Sequence, residues 1–274
     1  MIVEALIYFF VPALVGVLIG IASGLLGIGG GTVMVPIFRL AFGMSATMST
    51  ATSLFAIIPT SISGAISHVK GKTCIPALGI AAGLGGACLS PVGVWLAQLS
   101  PDWLVMLAAA LIIGYSAINM FKKAFKLRPA GQPAAGVDAA APAADDSSLS
   151  RKQLLQGAAI GLVAGLASGY VGVGGGFIMV PLMLSIIGIP MRKASGTSLI
   201  AVMILAIPGV IEQGIIRNIN YLAGIAIVIG TIPGAVIGAR LVTKVPERTL
   251  RLLFGCFLIV AAVMLVLNEV GIFG

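Results

Sequence analysis

The chain has 274 residues, of which 59% are hydrophobic and 9% charged, and its formal net charge is +8. A soluble domain carries about 25% charged residues, so a water-exposed globule is excluded: there is too little polar side chain to cover its surface. The apolar runs are continuous, as over residues 104–118 and 222–236, and lack the alternation of barrel strands, so helices are expected to satisfy the backbone in lipid. The fold class is therefore an all-α polytopic membrane protein with the lipid bilayer as its main partner. The positive charge lies in short loops, where it reads as a topology signal and not as a nucleic-acid footprint.

In chain order, the N-terminal Met1-Ile2-Val3-Glu4 has no basic n-region and no small-residue cleavage site, so it reads as the start of a first membrane helix and not as a removed signal peptide. Helices are predicted near 4–26, 31–42, 47–68, 75–98 and 103–122. The second of these has about 12 residues, or about 18 Å at 1.5 Å per residue, which is short of the roughly 30 Å hydrocarbon core. Gly29-Gly30-Gly31 stands directly before it, so the first two helices are expected to meet at a break inset from one surface. Residues 129–150 are rich in Ala, Pro, Asp and Ser without apolar periodicity and read as a flexible cytoplasmic linker. Helices then follow near 152–171, 176–187, 192–214, 220–243 and 247–268. Cys74, Cys88 and Cys256 are scattered without metal-ligand spacing.

An offset of 145 residues aligns the two halves without a gap. Ser23-Gly24-Leu25-Leu26-Gly27-Ile28-Gly29-Gly30-Gly31-Thr32-Val33-Met34-Val35-Pro36 matches Ser168-Gly169-Tyr170-Val171-Gly172-Val173-Gly174-Gly175-Gly176-Phe177-Ile178-Met179-Val180-Pro181. Gly43 meets Gly188, Thr52-Ser53-Leu54 meets Thr197-Ser198-Leu199, and Pro101 meets Pro246. Repeats of this kind mark transporters. Five helices per copy is an odd number, so the second copy should be inverted, giving repeats over 1–128 and 151–274. With both termini outside, 13 of the 16 Lys and Arg residues fall in cytoplasmic loops, as the positive-inside rule requires. Four spans per half would place Lys70 and Lys72 opposite the linker's bases.

The glycine triplets Gly29-Gly30-Gly31 and Gly174-Gly175-Gly176 are the leading site candidates, with Thr32 and Phe177 next to them. Each runs into a helix start, where unpaired N–H groups and a partial positive charge favour anions without a basic side chain, and inverted-repeat transporters aim such starts at a midplane substrate. Close packing of small residues is the alternative. Thr52-Ser53 and Thr197-Ser198 could donate hydroxyls to an anion or bond back to their own helices. Arg240, within the ninth helix, could meet substrate or snorkel. Glu212 and His68, whose repeat mate is Gln213, are candidates for coupling to protons or for ordinary interfacial roles. No nucleophile triad, metal cluster or nucleotide loop is present in the sequence, so no enzyme activity and no cofactor are expected.

These residues resemble the sulfite exporter TauE/SafE family of bacterial membrane proteins, also called the toluene sulfonate uptake permease family. The resemblance is carried by Gly24-x-x-Gly27-x-Gly29-Gly30-Gly31-x-x-x-x-Pro36, its copy from Gly169 to Pro181, Ala51-Thr52-Ser53 with Gly196-Thr197-Ser198, and Gly234-x-x-x-Gly238-Ala239-Arg240-Leu241. It implies movement of a small anionic substrate, such as sulfite, sulfoacetate or another sulfonate, across the bacterial inner membrane. One departure concerns symmetry: Trp95 stands where the second half has Arg240. The expected function is secondary transport, with export the cheaper direction for an anion against an interior-negative potential. A passive anion channel, a partner subunit without transport activity and a cation carrier are the other readings. Small-residue faces pack equally well within and between subunits, so a homo-oligomer stays open.

Overall fold

The computed structural model describes residues 2–126 and 150–269, with side chains for 12–125 and 150–267. All of the linker expectation except Ser150 lies outside the described residues. The first repeat forms α1 (Ile2–Leu26), α2 (Gly31–Phe42), α3 (Ala46–Lys70), α4 (Pro76–Leu99) and α5 (Asp102–Lys126). The second forms α6 (Arg151–Val171), α7 (Gly176–Leu182), α8 (Met191–Ile215), α9 (Tyr221–Leu241) and α10 (Glu247–Glu269). Seven of these helices, α3 to α6 and α8 to α10, are long and apolar enough to cross a membrane. Leu14, Leu111, Leu155 and Ile215 stand on the outside, each at least 65% exposed, a surface suited to lipid and not to water.

Local chemistry sets the ends. Ser150 and Gln153 form a capping box at the start of α6, and Asn220 caps α9 by accepting from Ala223 N at 3.1 Å. Left-handed Gly43 ends α2, and Gly188 does the same in the second repeat. Predicted and observed helix ends otherwise differ by a few residues, the largest extension being α5 to Lys126. The helix expected over 176–187 is not uniform: its last five residues, Met183–Ile187, form a π-turn. Lys123 Nζ donates to Pro181 O at 3.0 Å and Ser185 Oγ to the same oxygen at 2.6 Å. That carbonyl is thereby drawn away from the regular α-helical ladder.

Packing pairs helices across the repeats. Gly16, Gly20 and Gly24 of α1 abut Ile227, Thr231 and Ala235 of α9 in ascending order, so these helices run parallel with backbones touching. Gly157, Gly161, Gly165 and Gly169 of α6 abut Leu78, Ala82, Gly86 and Ser90 of α4 in the same way. α3 runs with α9: Thr52 meets Asn220, Thr60 meets Thr231 at 2.6 Å, and Ser67 meets Val236. α8 runs with α4, its Thr197 meeting Ile75 and its Ile204 meeting Gly83. α3 and α8 run in opposite senses, because Gly64 faces Leu199 while Leu54 faces Gly209. Of the helices related by the 145-residue offset, α1 and α6, α3 and α8, and α4 and α9 are therefore antiparallel.

The same contacts define two ends of the bundle. Lys70, Lys72, Lys122, Lys123, Arg151, Lys152, Arg192, Lys193, Lys244, Arg248 and Arg251 all flank the helix ends of one side, here called the basic end. At the opposite end, Asp102 of α5 accepts from Ala46 N at 3.2 Å. Its repeat mate Glu247 of α10 accepts from Met191 N at 3.2 Å at the basic end. Each carboxylate sits at the N-terminus of a long helix, where the dipole favours it.

Candidate functional site

The two breaks are built by residues that only glycine fits easily. Gly27, Gly29 and Gly30 have φ of 76°, 79° and 86°, and Gly172, Gly174 and Gly175 have 72°, 87° and 67°, all in the left-handed region that penalises a Cβ. The turn folds α2 back along α1, so that a Cβ on Gly30 would lie 3.1 Å from Ile19 and 3.7 Å from Ser23. The breaks then touch each other. A Cβ on Gly31 would lie 2.5 Å from the Val173 carbonyl oxygen, and one on Gly176 would lie 2.4 Å from the Gly27 carbonyl oxygen and 3.0 Å from the Ile28 backbone. Ile57 of α3 lies against Gly29, Gly31 and Gly174, and its repeat mate Val202 of α8 against Gly29. The starts of α2 and α7 thus meet at the centre of the bundle, between α3 and α8.

Neither helix start has a side-chain cap. The N–H groups of Gly31, Thr32 and Phe177 have no acceptor among the described residues, whereas Gly176 N donates to Gly174 O at 2.8 Å. Ser23, Thr32, Ser53, Ser61 and Ser168 are fully buried and their hydroxyls have no partner. Ser61 Oγ is 3.5 Å from the Cβ position of Gly29. The polar lining is unequal: Thr32 and Ser61 belong to the first repeat, while their mates are Phe177 and Ala206. An unpaired buried hydroxyl costs about 1–3 kcal/mol. Thr32, in the first turn of α2, and Ser61, beside Gly29, thus put hydroxyls without a partner next to N–H groups without an acceptor.

The structure separates the predicted site residues into groups. Gly29, Gly30, Gly31, Thr32, Gly174, Gly175, Gly176 and Phe177 come together at the breaks. Ser53 is buried and unpaired, while Ser198 donates to Gly27 O at 2.7 Å and tethers the first break to α8. Thr52 and Thr197 bond neither to an own-helix carbonyl nor to each other. Thr52 Oγ1 accepts from Asn220 N at 3.0 Å, and Thr197 Oγ1 accepts from Ile75 N at 2.9 Å, so each threonine holds a helix start of the other repeat. Arg240 is exposed on the last turn of α9, whose Ala239 N lies 2.8 Å from the Cβ position of Gly24 near the end of α1. Glu212 is half-buried on α8 with an unpaired Oε2, about 15 Å along the helix from Val202 at 1.5 Å per residue. His68 is fully buried one helix layer from the first break. Its Nε2 is 2.8 Å from Gly24 O.

Sequence reasoning did not single out Ser23, Ser168, Ser61 or Ile57. Ser23 and Ser168 do head the two copies of the repeated motif. Ser61 and Ile57 lie in an apolar run whose pattern does not say which face meets the breaks. Among the described residues, no group of three or more His, Cys, Asp and Glu side chains comes together that could hold a metal ion.

Comparison with known proteins is consistent with this architecture. The family described as "Sulfite exporter TauE/SafE" matches residues 12–265. "Probable membrane transporter protein YunE" of Bacillus subtilis (strain 168) is 27% identical over 97% of this chain and 99% of its own length. "Probable membrane transporter protein YdhB" of the same organism is 28% identical over 87% of this chain and 92% of its own. A "Probable membrane transporter protein" of Haemophilus influenzae is 28% identical over 93% and 97%. No solved structure matches the chain significantly. With a family match that runs from α1 to α10, the chain belongs to the sulfite exporter TauE/SafE family of multi-pass membrane transporters.

Proposed function

We propose that this protein is a secondary transporter that binds a small sulfur-containing anion, sulfite or an organosulfonate such as sulfoacetate, between the two helix breaks. The carrying observation is the pair of uncapped helix starts, Gly31 and Gly176, packed face to face among buried hydroxyls without partners. A sulfo group has several acceptor oxygens and no donor. It complements the N–H groups of Gly31, Thr32 and Phe177 and the hydroxyls of Thr32, Ser53 and Ser61. Thr52, Thr197 and Ser198 keep the helix starts in place. Arg240 acts at the mouth and draws anions in.

The basic end is cytoplasmic under the positive-inside rule, which places both termini in the periplasm of a bacterial inner membrane. For an anion carried alone, export is the favoured direction, by roughly 2.3 kcal/mol per charge per 100 mV of interior-negative potential. The exchange of α1 onto α9 and of α6 onto α4 means that residues 1–128 and 151–274 do not part as lobes. The moving bodies are the parallel groups α1–α3–α9 and α6–α8–α4, which meet along α3 and α8 around the breaks.

The test is thermal stabilisation of purified protein by sulfite, thiosulfate, sulfoacetate, methanesulfonate, taurine, sulfate and acetate, since a ligand of the folded state raises its melting temperature. A selective shift with sulfite or a sulfonate, reduced at least fivefold in apparent affinity by Thr32→Val or Ser61→Ala, is expected. No shift with any of these anions would sink the reading and favour a partner subunit.

A further inference from the structure

His68 and Gln213 occupy the same position in the two repeats, and the structure gives them matching surroundings at opposite ends. His68 Nδ1 is 2.7 Å from Thr73 Oγ1. Gln213 Oε1 accepts from Nδ2 of Asn218, the repeat mate of Thr73, at 3.0 Å. Both side chains are at most 1% exposed. One clamp can therefore carry a proton and its counterpart cannot.

The His68 network accepts a proton without breaking. Gly24 O has no proton to give, so Nε2 must donate to it in either charge state. In the neutral ring, Nδ1 accepts from the Thr73 hydroxyl. When Nδ1 gains a proton, it donates to Thr73 Oγ1, and the hydroxyl proton turns to His68 O, 3.3 Å away. The added charge then lies on the last turn of α1, next to the break at Gly27, where a helix C-terminus favours a cation. Gly196 of α8 presses on the other side of the ring, one residue before Thr197.

Among the described residues, no carboxylate lies against the ring to balance that charge. On α1 the ring faces a carbonyl, on α8 a glycine, and on the following turn a hydroxyl. The charged groups of the surrounding elements at this end are Lys70 and Lys72 after α3, Arg192 and Lys193 on α8, and Arg240 on α9, all basic. Glu247 of α10 is already bound to Met191 N and Arg251. A buried cation without a counter-ion is costly, and an anion between the breaks is the charge that completes it.

We propose that His68 is the proton site of this transporter: a proton on Nδ1 and an anion at the helix breaks bind together, so the anion is carried with a proton. The inference rests on the anion-site reading above. Gln213 shows which variant to use, because His68→Gln keeps a donor for Gly24 O and an acceptor for Thr73 while removing the titration.

The experiment measures binding of methanesulfonate, which stays ionised throughout, to the full-length purified protein at pH about 5.5 and 7.5, the range in which histidine changes charge. It also records proton uptake from weakly buffered solution when the anion is added. Wild type should bind about tenfold more tightly at the lower pH, a coupling typical of linked sites, and should take up protons. His68→Gln should bind with one pH-independent affinity and take up none. Equal wild-type affinity at the two pH values, or a pH dependence that survives in His68→Gln, overturns the proton site and leaves the anion site standing. Absence of wild-type binding overturns the anion site, and this inference with it.

Discussion

Replacing Gly31 by alanine isolates the contact between the two breaks. Gly31 is not among the glycines with positive φ, so alanine meets no backbone strain there. Its Cβ would lie 2.5 Å from the Val173 carbonyl oxygen and 2.6 Å from Ile57 Cδ1, where ordinary contacts begin near 3.4 Å. The Ile57 tip can rotate. The Val173 carbonyl belongs to the opposing break and cannot retreat by about 0.9 Å unless α7 moves. Overpacking of a tight site costs about 1–3 kcal/mol, and the upper figure applies to a rigid neighbour. At about 2–4 °C per kcal/mol for a chain of this size, the melting temperature should fall by about 6–12 °C.

Two controls separate this effect from other consequences of losing a glycine. Gly43 has φ of 61° with nothing within 4 Å of its Cβ position, so Gly43→Ala meets only left-handed strain of about 1–2 kcal/mol. Gly114, inside α5, has open space around it, and Gly114→Ala should be neutral or stabilising by up to about 1 kcal/mol. Heating the detergent-solubilised variants and measuring the monodisperse fraction by gel filtration gives the order: Gly31→Ala least stable, then Gly43→Ala, then wild type and Gly114→Ala. A Gly31→Ala protein as stable as Gly43→Ala would refute the face-to-face packing of the breaks.

The other expectations concern hydroxyls and charge. Ser198→Ala leaves Gly27 O without its 2.7 Å donor and should cost about 1–3 kcal/mol. Ser53→Ala removes a buried hydroxyl with no partner and should stabilise the protein, by up to about 1–3 kcal/mol, while weakening anion binding, as melting curves with and without anion will show. Thr52→Val and Thr197→Val each strand one backbone N–H, of Asn220 and Ile75 respectively. They should destabilise by similar amounts, about 1–3 kcal/mol, and a large inequality would contradict the symmetric role. Arg240→Gln should leave equilibrium affinity within about twofold and slow association at low salt, because an exposed rim charge steers more than it holds. Stopped-flow binding at two ionic strengths checks this.

Much of the architecture is legible in the chain because its determinants are local. Gly29-Gly30-Gly31 and Gly174-Gly175-Gly176 mark the breaks because left-handed turns and backbone contact both demand glycine. The short second helix follows from the spacing between that triplet and Gly43. What local pattern does not carry is the partner. Gly16, Gly20 and Gly24 announce a close-packed face, yet nothing in their spacing names α9 as the helix that fills it. The sequence around Thr52 and Thr197 suits hydroxyls aimed at substrate and hydroxyls bonded to their own helix equally well. The donors they accept from are Asn220 and Ile75, in the opposite repeat. The pairing of Asp102 with Ala46 N and of Glu247 with Met191 N obeys the same 145-residue offset, although the two acids differ by a methylene and an alignment of identical residues passes over them. The π-turn after α7 depends on Lys123 reaching from α5, which sequence near residue 183 does not show.

The central claim, a transporter with its anion site at the paired breaks, is tested most directly by counterflow in proteoliposomes. Vesicles containing purified protein are loaded with unlabelled sulfite or sulfoacetate and diluted into a trace of the labelled anion. The account predicts transient uptake of label above equilibrium in wild type, saturable in the anion, and its loss in a Thr32→Val, Ser61→Ala double variant that still inserts and elutes as a single species. Uptake that merely equilibrates without overshoot would make the protein a channel, and undiminished counterflow in the double variant would place the anion somewhere other than the breaks.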